Sequence, residues 1–237
     1  MNLPHALRQS LIRTRRTLCE TLGIARYSYL GLHGLDRKLE RHLDFDGGVF
    51  VEAGANDGVT QSNTYYFEKI RGWTGLLVEP VPALATACRR NRRARVVEAA
   101  LVDTAAPDAT VELHFAGLMS TVTGALGDEA ATARHVAAGM AVQQLSATHR
   151  LTVPARTLSA LLDEAGLTRP VDLLCLDVEG GEPGALRGLD FDRHAPRCIC
   201  VETRDPVTIA AVLEPRYRLT EVLTNLGTHR DLLYTLR

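Results

Sequence analysis

A doubly wound α/β domain is the fold the sequence predicts. Three observations predict it: short runs apolar at nearly every position, helix-like segments between them, and a glycine-bearing loop directly after the first run. Val49–Val51, Gly75–Val78, Arg95–Ala99, Val171–Leu176 and Cys198–Val201 are those runs, and continuous apolarity is what a sheet buried on both faces requires. Such a sheet is parallel, with helical crossovers. The 237 residues fit one large domain or one domain with a short appendage. With 46% hydrophobic and 23% charged residues, the chain can bury a full core without disulfide or metal staples.

In chain order, the first element is helical. From Leu3 to about Leu22, Leu7, Leu11, Leu18 and Leu22 fall near helical spacing, with Arg8, Arg13, Arg15 and Arg16 between them. Leu32, Leu35, Leu39 and Leu43 repeat that spacing, so two amphipathic helices precede the core. Residues 1–45 form this extension, and its basic face reads as a solvated face on a packing helix, a dimer contact or a cap over an anionic substrate. The arginines leave no uncharged stretch for a signal peptide, and no run reaches the ~18–20 apolar residues of a membrane span. Cys19, Cys88, Cys175, Cys198 and Cys200 lack CxxC spacing, which fits reduced thiols and a cytoplasmic location.

The core, residues 46–237, begins after Asp46-Gly47-Gly48. Thr110–Phe115 and Leu151–Ala155 flank an Ala-rich helical stretch, Asp128–Leu145, and read as a hairpin plus helix, with an insertion over residues 117–150. Tyr217–Leu223 and Asp231–Leu236 surround a turn at Asn225-Leu226-Gly227, an antiparallel pair closing the sheet edge. Lys+Arg 27 against Asp+Glu 28 leaves a net charge of −1, so no global field draws the chain to nucleic acid or membranes and no such partner is expected. Only Lys38 and Lys69 are lysines, a bias that reads as GC-rich coding rather than as carboxylate or phosphate recognition. The cluster Arg89-Arg90-Asn91-Arg92-Arg93-Ala94-Arg95 lacks interleaved aromatics and reads as a solvated loop before the third strand rather than an RNA contact.

Directly after the first run comes Glu52-Ala53-Gly54-Ala55-Asn56-Asp57-Gly58, at the sheet edge where open α/β folds bind their ligands. A dinucleotide site would want GxGxxG, so that a pyrophosphate can rest on backbone N–H groups. Asn56 stands where the second glycine would be, which crowds a pyrophosphate but suits a zwitterionic amino acid. Leu76-Leu77-Val78-Glu79-Pro80 places a carboxylate at the next strand tip, where it can accept both hydroxyls of a ribose. Gly54, Asn56 and Glu79 together describe a pocket for a nucleoside joined to an amino acid, which is S-adenosylmethionine.

The chain resembles the FkbM family of S-adenosylmethionine-dependent methyltransferases. The residues that carry this are Val51-Glu52-Ala53-Gly54-Ala55-Asn56-Asp57-Gly58, Ser62-Asn63-Thr64, Gly72-Trp73-Thr74-Gly75-Leu76-Leu77-Val78-Glu79-Pro80, Ala99-Ala100-Leu101-Val102-Asp103, Arg156-Thr157-Leu158 and Leu176-Asp177-Val178-Glu179-Gly180-Gly181-Glu182. The resemblance covers the chain from about Leu32 onward. It implies a class I methyltransferase fold, a Rossmann-like sheet of seven strands with the last antiparallel. It also implies methyl transfer to a hydroxyl oxygen of a small molecule, a sugar, cyclitol or polyketide, in bacterial secondary metabolism such as antibiotic biosynthesis. Along these motifs it implies cofactor contacts from Glu52, Gly54, Asn56, Ser62, Asn63, Glu79, Pro80, Ala100, Leu101 and Asp177. Trp73 matches a packing position of the family and reads as structural, as does Cys175 within its buried strand.

Asp177, Glu179 and Glu182 follow the fourth core run, and Glu202 ends the fifth. Parallel strand ends lie ~5 Å apart, so Asp177 and Glu202 face one cavity if those strands are neighbours. Transfer to an alcohol needs a carboxylate base or a divalent metal to remove the proton. Asp177, Glu179 and Glu202 are the catalytic candidates. Asp177 and Glu202 have the placement that metal-dependent class I O-methyltransferases use for magnesium, with Glu179 a third oxygen ligand. Capping of the Pro183 helix by Glu179 or Glu182 is the competing structural role. His114 and His149 flank the hairpin as further candidate bases.

The turn after the fourth run, Asp177-Val178-Glu179-Gly180, lacks the Asn/Asp-Pro-Pro-aromatic pattern of nucleobase N-methylation, and there is no Pro-Cys pair for cytosine C5 attack. A nicotinamide-dependent oxidoreductase and a non-catalytic binding module on the same fold are the alternatives. Asn56 and the lack of a Tyr/Lys pair weigh against the first, and the acid cluster against the second.

Overall fold

A computed structural model describes residues 5–106, 108–167 and 169–237, so Leu3 lies outside the described residues. The chain opens with α1 (His5–Thr21) and a short α2 (Leu35–Glu40). It then runs through β1 (Val49–Ala53), α3 (Tyr65–Lys69), β2 (Thr74–Val78), α4 (Pro82–Asn91) and β3 (Arg95–Val97). A side excursion follows: β4 (Ala100–Leu101), β5 (Thr110–Phe115), β6 (Thr121–Val122), α5 (Glu129–Gln143) and β7 (His149–Arg156). The main sheet resumes with α6 (Leu158–Ala165), β8 (Leu173–Leu176), α7 (Glu182–Arg187), α8 (Phe191–His194), β9 (Cys198–Thr203) and α9 (Pro206–Leu213), and ends in β10 (Tyr217–Asn225) and β11 (Arg230–Leu236).

Seven strands form the main sheet in the order β10-β11-β9-β8-β1-β2-β3. Pairing is parallel from β3 through β9, and only β11 runs against its neighbours. This is the class I methyltransferase sheet that the resemblance implies. The expected antiparallel pair closes one side of the sheet, with β11 inserted between β9 and β10 and β10 at the edge. The third run, expected as one strand to Ala99, ends at Val97, and Ala100 and Leu101 just beyond it take their partners from Ala155 and Arg156 of β7. There the chain leaves the main sheet for a smaller one, β4-β7-β5-β6, in which the expected hairpin pairs Thr110–Phe115 with His149–Pro154.

Alternation along the strands explains the continuous apolar runs. Val49, Val51, Leu174, Leu176, Ile199 and Val201 pack on one face beneath α6, α7 and α9. Phe50, Leu173, Cys175, Cys198 and Cys200 pack on the other, with Leu35, Leu39 and Leu43 around α2 and with Phe67 and Trp73. Trp73 is fully buried and donates its indole N–H to the Phe45 carbonyl at 2.9 Å, in keeping with a structural role. All five cysteines are free thiols.

One expectation about charge is corrected. The arginine cluster between α4 and β3 is not a solvated loop throughout, because the Arg92 side chain is buried. Its guanidinium donates to Glu68 at 3.1 Å, Ser62 at 3.0 Å, Thr64 at 2.9 Å and the Gly58 carbonyl at 3.1 Å, and lies 3.6 Å from Glu52. Arg93 adds bonds from its backbone N–H and its guanidinium to Glu68. Buried charge persists only where each group finds partners, and here Glu52 and Glu68 supply them.

Candidate active site

The loop after β1 is shaped by backbone contacts. Gly54 has φ +83°, and a Cβ there would lie 1.8 Å from the Asp177 carbonyl oxygen. Glycine is required by the crossing of the β8 end as well as by any ligand. Asn56 is also left-handed, at φ +50°, a conformation asparagine tolerates better than most residues. Its side-chain oxygen accepts the Asp57 N–H at 2.6 Å. Its own N–H donates to Glu79 Oε2 at 2.8 Å, while the Val81 N–H donates to Glu79 Oε1 at 2.9 Å. Each Glu79 oxygen therefore has one fixed donor and keeps lone-pair capacity for a second. Burial, reinforced by Asp57, raises the Glu79 carboxyl to about 7 despite those two bonds.

Glu79 borders a cavity of about 650 Å³ that spans the carboxyl ends of the parallel strands. Gly54, Asn56, Asn63, Pro80, Ala100 and Leu101 line it on the β1–β4 side. Asn63 Oδ1 is buried without a partner, an acceptor left for a ligand N–H. Glu52 also reaches the cavity wall, but its carboxylate accepts from Ser62 Oγ at 2.9 Å, the Asn63 N–H at 2.7 Å and the Thr64 hydroxyl. Ser62 is buried behind the wall and does not line it. The motif that carries Glu52 and Ser62 thus holds the loop from behind.

At the other end, β8 and β9 pair with Leu176 opposite Val201, so Asp177 and Glu202 stand side by side in the cavity. Carboxylate oxygens of Asp177, Glu179 and Glu202 all lie within 4.8 Å of one another. Glu179 is held by Arg204 at 2.8 Å, with His135 Nε2 at 3.5 Å. Asp177 Oδ1 is buried and unpartnered, and burial, then Glu202 and Glu179, drive its carboxyl well above the usual range. Burial, with Glu179 and Asp231, raises Glu202 to about 8. Glu182 is engaged elsewhere: it accepts the Val178 N–H at 2.9 Å and the Gly180 N–H at 3.1 Å, locking the turn into α7.

The excursion roofs the cavity with Leu118, Met119, Val122, Ala138 and Val142, and brings in His135. Burial lowers the His135 imidazole below its usual range, leaving it neutral near pH 7. The two histidines suggested by sequence are not there. His114 bonds to Thr123 Oγ1 at 3.0 Å, His149 stacks on Phe115 at 4.8 Å, and neither lines the cavity. Sequence reasoning missed His33, His135, Arg204, His229 and Asp231, all of which do. Arg204 and Asp231 were within reach of it. Arg204 stands two residues beyond Glu202, and Asp231 is its cross-strand partner once β11 is placed beside β9. His135 carried no local signal, because only the packing of α5 over the sheet brings it in.

The family description "Methyltransferase FkbM domain" matches residues 52–225. A curated relative, Methyltransferase 1 of Beauveria bassiana (strain ARSEF 2860), is 32% identical over 154 residues, which make up 63% of this chain and 61% of that protein. The chain therefore spans about three-fifths of the length of that relative. Among solved structures, a TehB-like SAM-dependent methyltransferase from Corynebacterium glutamicum aligns with 97% of this chain and all of its own, at 11% identity and TM-score 0.44. A human methyltransferase 10 domain containing protein aligns with 100% of this chain and 99% of its own, at 11% identity and TM-score 0.49.

Proposed function

This chain belongs to the FkbM methyltransferase domain family, and from that premise we propose that it is an S-adenosylmethionine-dependent O-methyltransferase acting on a hydroxyl of a small natural product. One observation carries the reading: a single cavity joins Glu79, with an open lone pair on each oxygen, to the register-matched acids Asp177 and Glu202. When bound, S-adenosylmethionine supplies a methyl group on a sulfonium leaving group that needs no further activation. The chain must bind, orient and deprotonate.

Glu79 accepts the two ribose hydroxyls. Gly54 and Asn56 shape the backbone against the amino-acid end, and Asn63 Oδ1 accepts its ammonium N–H. Pro80, Ala100 and Leu101 flank the adenine. Glu202 is the base: a carboxyl near 8 is half ionised at about pH 8 and, once ionised, is a stronger proton acceptor than an ordinary carboxylate. Asp177, kept neutral by burial, donates to the acceptor and orients it, and Arg204 fixes Glu179 beside them. The apolar roof excludes water and favours an acceptor with an apolar body, a polyketide moiety over a bare sugar. Leu32, His33 and Leu35 border the mouth from the other side, which supports a substrate-capping role for the part of the extension that carries them.

A second reading gives the proton's removal to a divalent cation such as magnesium, because three hard oxygen donors converge within 4.8 Å. Chelation followed by magnesium add-back separates the two. Calorimetry with S-adenosylhomocysteine tests the main proposal: micromolar binding supports it, whereas no binding to the intact protein contradicts it. NADH fluorescence enhancement would instead revive the oxidoreductase alternative. Cofactor binding with no turnover on any hydroxyl acceptor would favour a binding module.

A further inference from the structure

Helix α1 is built inside out. The side that meets the body is polar: Glu20 accepts from Ser28 Oγ at 3.0 Å and from the Tyr65 hydroxyl at 3.3 Å, and the Arg16 guanidinium lies 5.0 Å from the Tyr65 ring centre. The apolar side faces solvent. Leu7, Leu11 and Leu18, continued by Leu22 just past the helix end, fall on one stripe and are 47%, 53%, 60% and 65% exposed. Ile12 and Ile24 extend it, 39% and 46% exposed. Arg8 and Arg15 are exposed along one border of this stripe, Arg13 is exposed on the far side of the helix, and the single carboxylate of the helix, Glu20, is spent on the body.

We propose that α1 is an interfacial anchor that docks this protein on an anionic lipid surface. An apolar stripe bordered by arginines, with no exposed acid, matches the two layers of such a surface: acyl chains below, phosphate above. A second copy fits less well. Self-pairing would bring the same arginines together with no carboxylate on the helix beyond Glu20, which is bonded to the body, and six apolar residues fall short of the ~20–30 residues a side of a stable protein interface. The chain's net charge of −1 does not oppose this, because at physiological salt a field acts within ~8 Å, where only the local arginines count.

The test is co-sedimentation of the full chain with vesicles of phosphatidylcholine alone and with half phosphatidylglycerol, at low and high salt. The proposal expects the protein to pellet with the anionic vesicles, at least tenfold less with phosphatidylcholine, and less at high salt. A Leu11→Glu/Leu18→Glu variant should lose binding at least tenfold. An Arg8→Gln/Arg13→Gln/Arg15→Gln variant should lose the preference for anionic lipid; the leucine variant should keep the wild-type melting temperature because Leu11 and Leu18 are exposed, and the arginine variant gives up only the Arg15 contact over the Tyr27 ring at 4.1 Å. No pelleting with anionic vesicles, or pelleting that both variants retain, overturns the proposal. So does a concentration-dependent dimer that the leucine variant converts to monomer while vesicles bind neither form.

Discussion

The two ends of the cavity are built on opposite principles. Around β1 and β2, polar groups are tied down: Glu52 accepts three bonds, Glu79 holds two backbone N–H groups, and Arg92 is enclosed by five oxygens within 3.6 Å. Around β8 and β9, Asp177 Oδ1 has no partner, and burial, reinforced by neighbouring carboxylates, pushes Asp177 and Glu202 above the normal carboxylate range. On the proposed function, the first end is the one that binds the cofactor, and the second holds electrostatics that a bound acceptor would relieve, as sites built for chemistry do.

That contrast makes ordered predictions. The largest effect belongs to the tied end: Arg92→Ala leaves Glu52 and Glu68 as uncompensated buried charges and should cost about 3–5 kcal/mol in denaturant unfolding. A cost under about 1 kcal/mol would mean that the network is replaceable. At the open end the sign reverses. The Glu202 carboxyl, raised to about 8 in the folded protein, holds its proton after the unfolded chain has lost its own near pH 4.5, so its stabilising contribution is lost as pH rises to about 8. Glu202→Gln should therefore stabilise the protein by about 1–3 kcal/mol at pH 8 and hardly at all at pH 4. A destabilised Glu202→Gln variant at pH 8 would erase the distinction between the ends.

Smaller effects sharpen the roles. Turnover per bound cofactor should rise with pH through about 8 as Glu202 ionises, and a flat profile between pH 6 and 9 would remove it as the base. Chelation should lower turnover by less than about twofold if that carboxylate suffices, whereas a tenfold loss restored by magnesium would give the proton's removal to a cation.

Much of this was legible in the chain. The buried strands announced themselves because both faces of the sheet are covered, and Asp177 and Glu202 could be paired because parallel strand ends share an edge. Glu79 was readable as a strand-tip carboxylate beside a left-handed loop. Arg92 was misread, because a run of arginines looks the same in sequence whether it faces water or reaches two buried glutamates from other segments. The histidines fell the same way: His135 is brought in by a helix that packs across the sheet, while His114 and His149 stay on the hairpin itself. The leucine stripe of α1 is periodic like that of α2, yet only the α2 stripe is buried, and periodicity does not say which side a partner takes.

On the proposed function, one end of the cavity binds and the other reacts. Calorimetry with S-adenosylhomocysteine on Glu79→Ala and Glu202→Gln, with turnover measured on the same preparations, tests it most directly. Glu79→Ala should weaken binding about a hundredfold, whereas Glu202→Gln should bind within about threefold of the parent and lose about 10²–10⁴ in turnover. Equal loss of affinity in the two variants, or full turnover in Glu202→Gln, would contradict it.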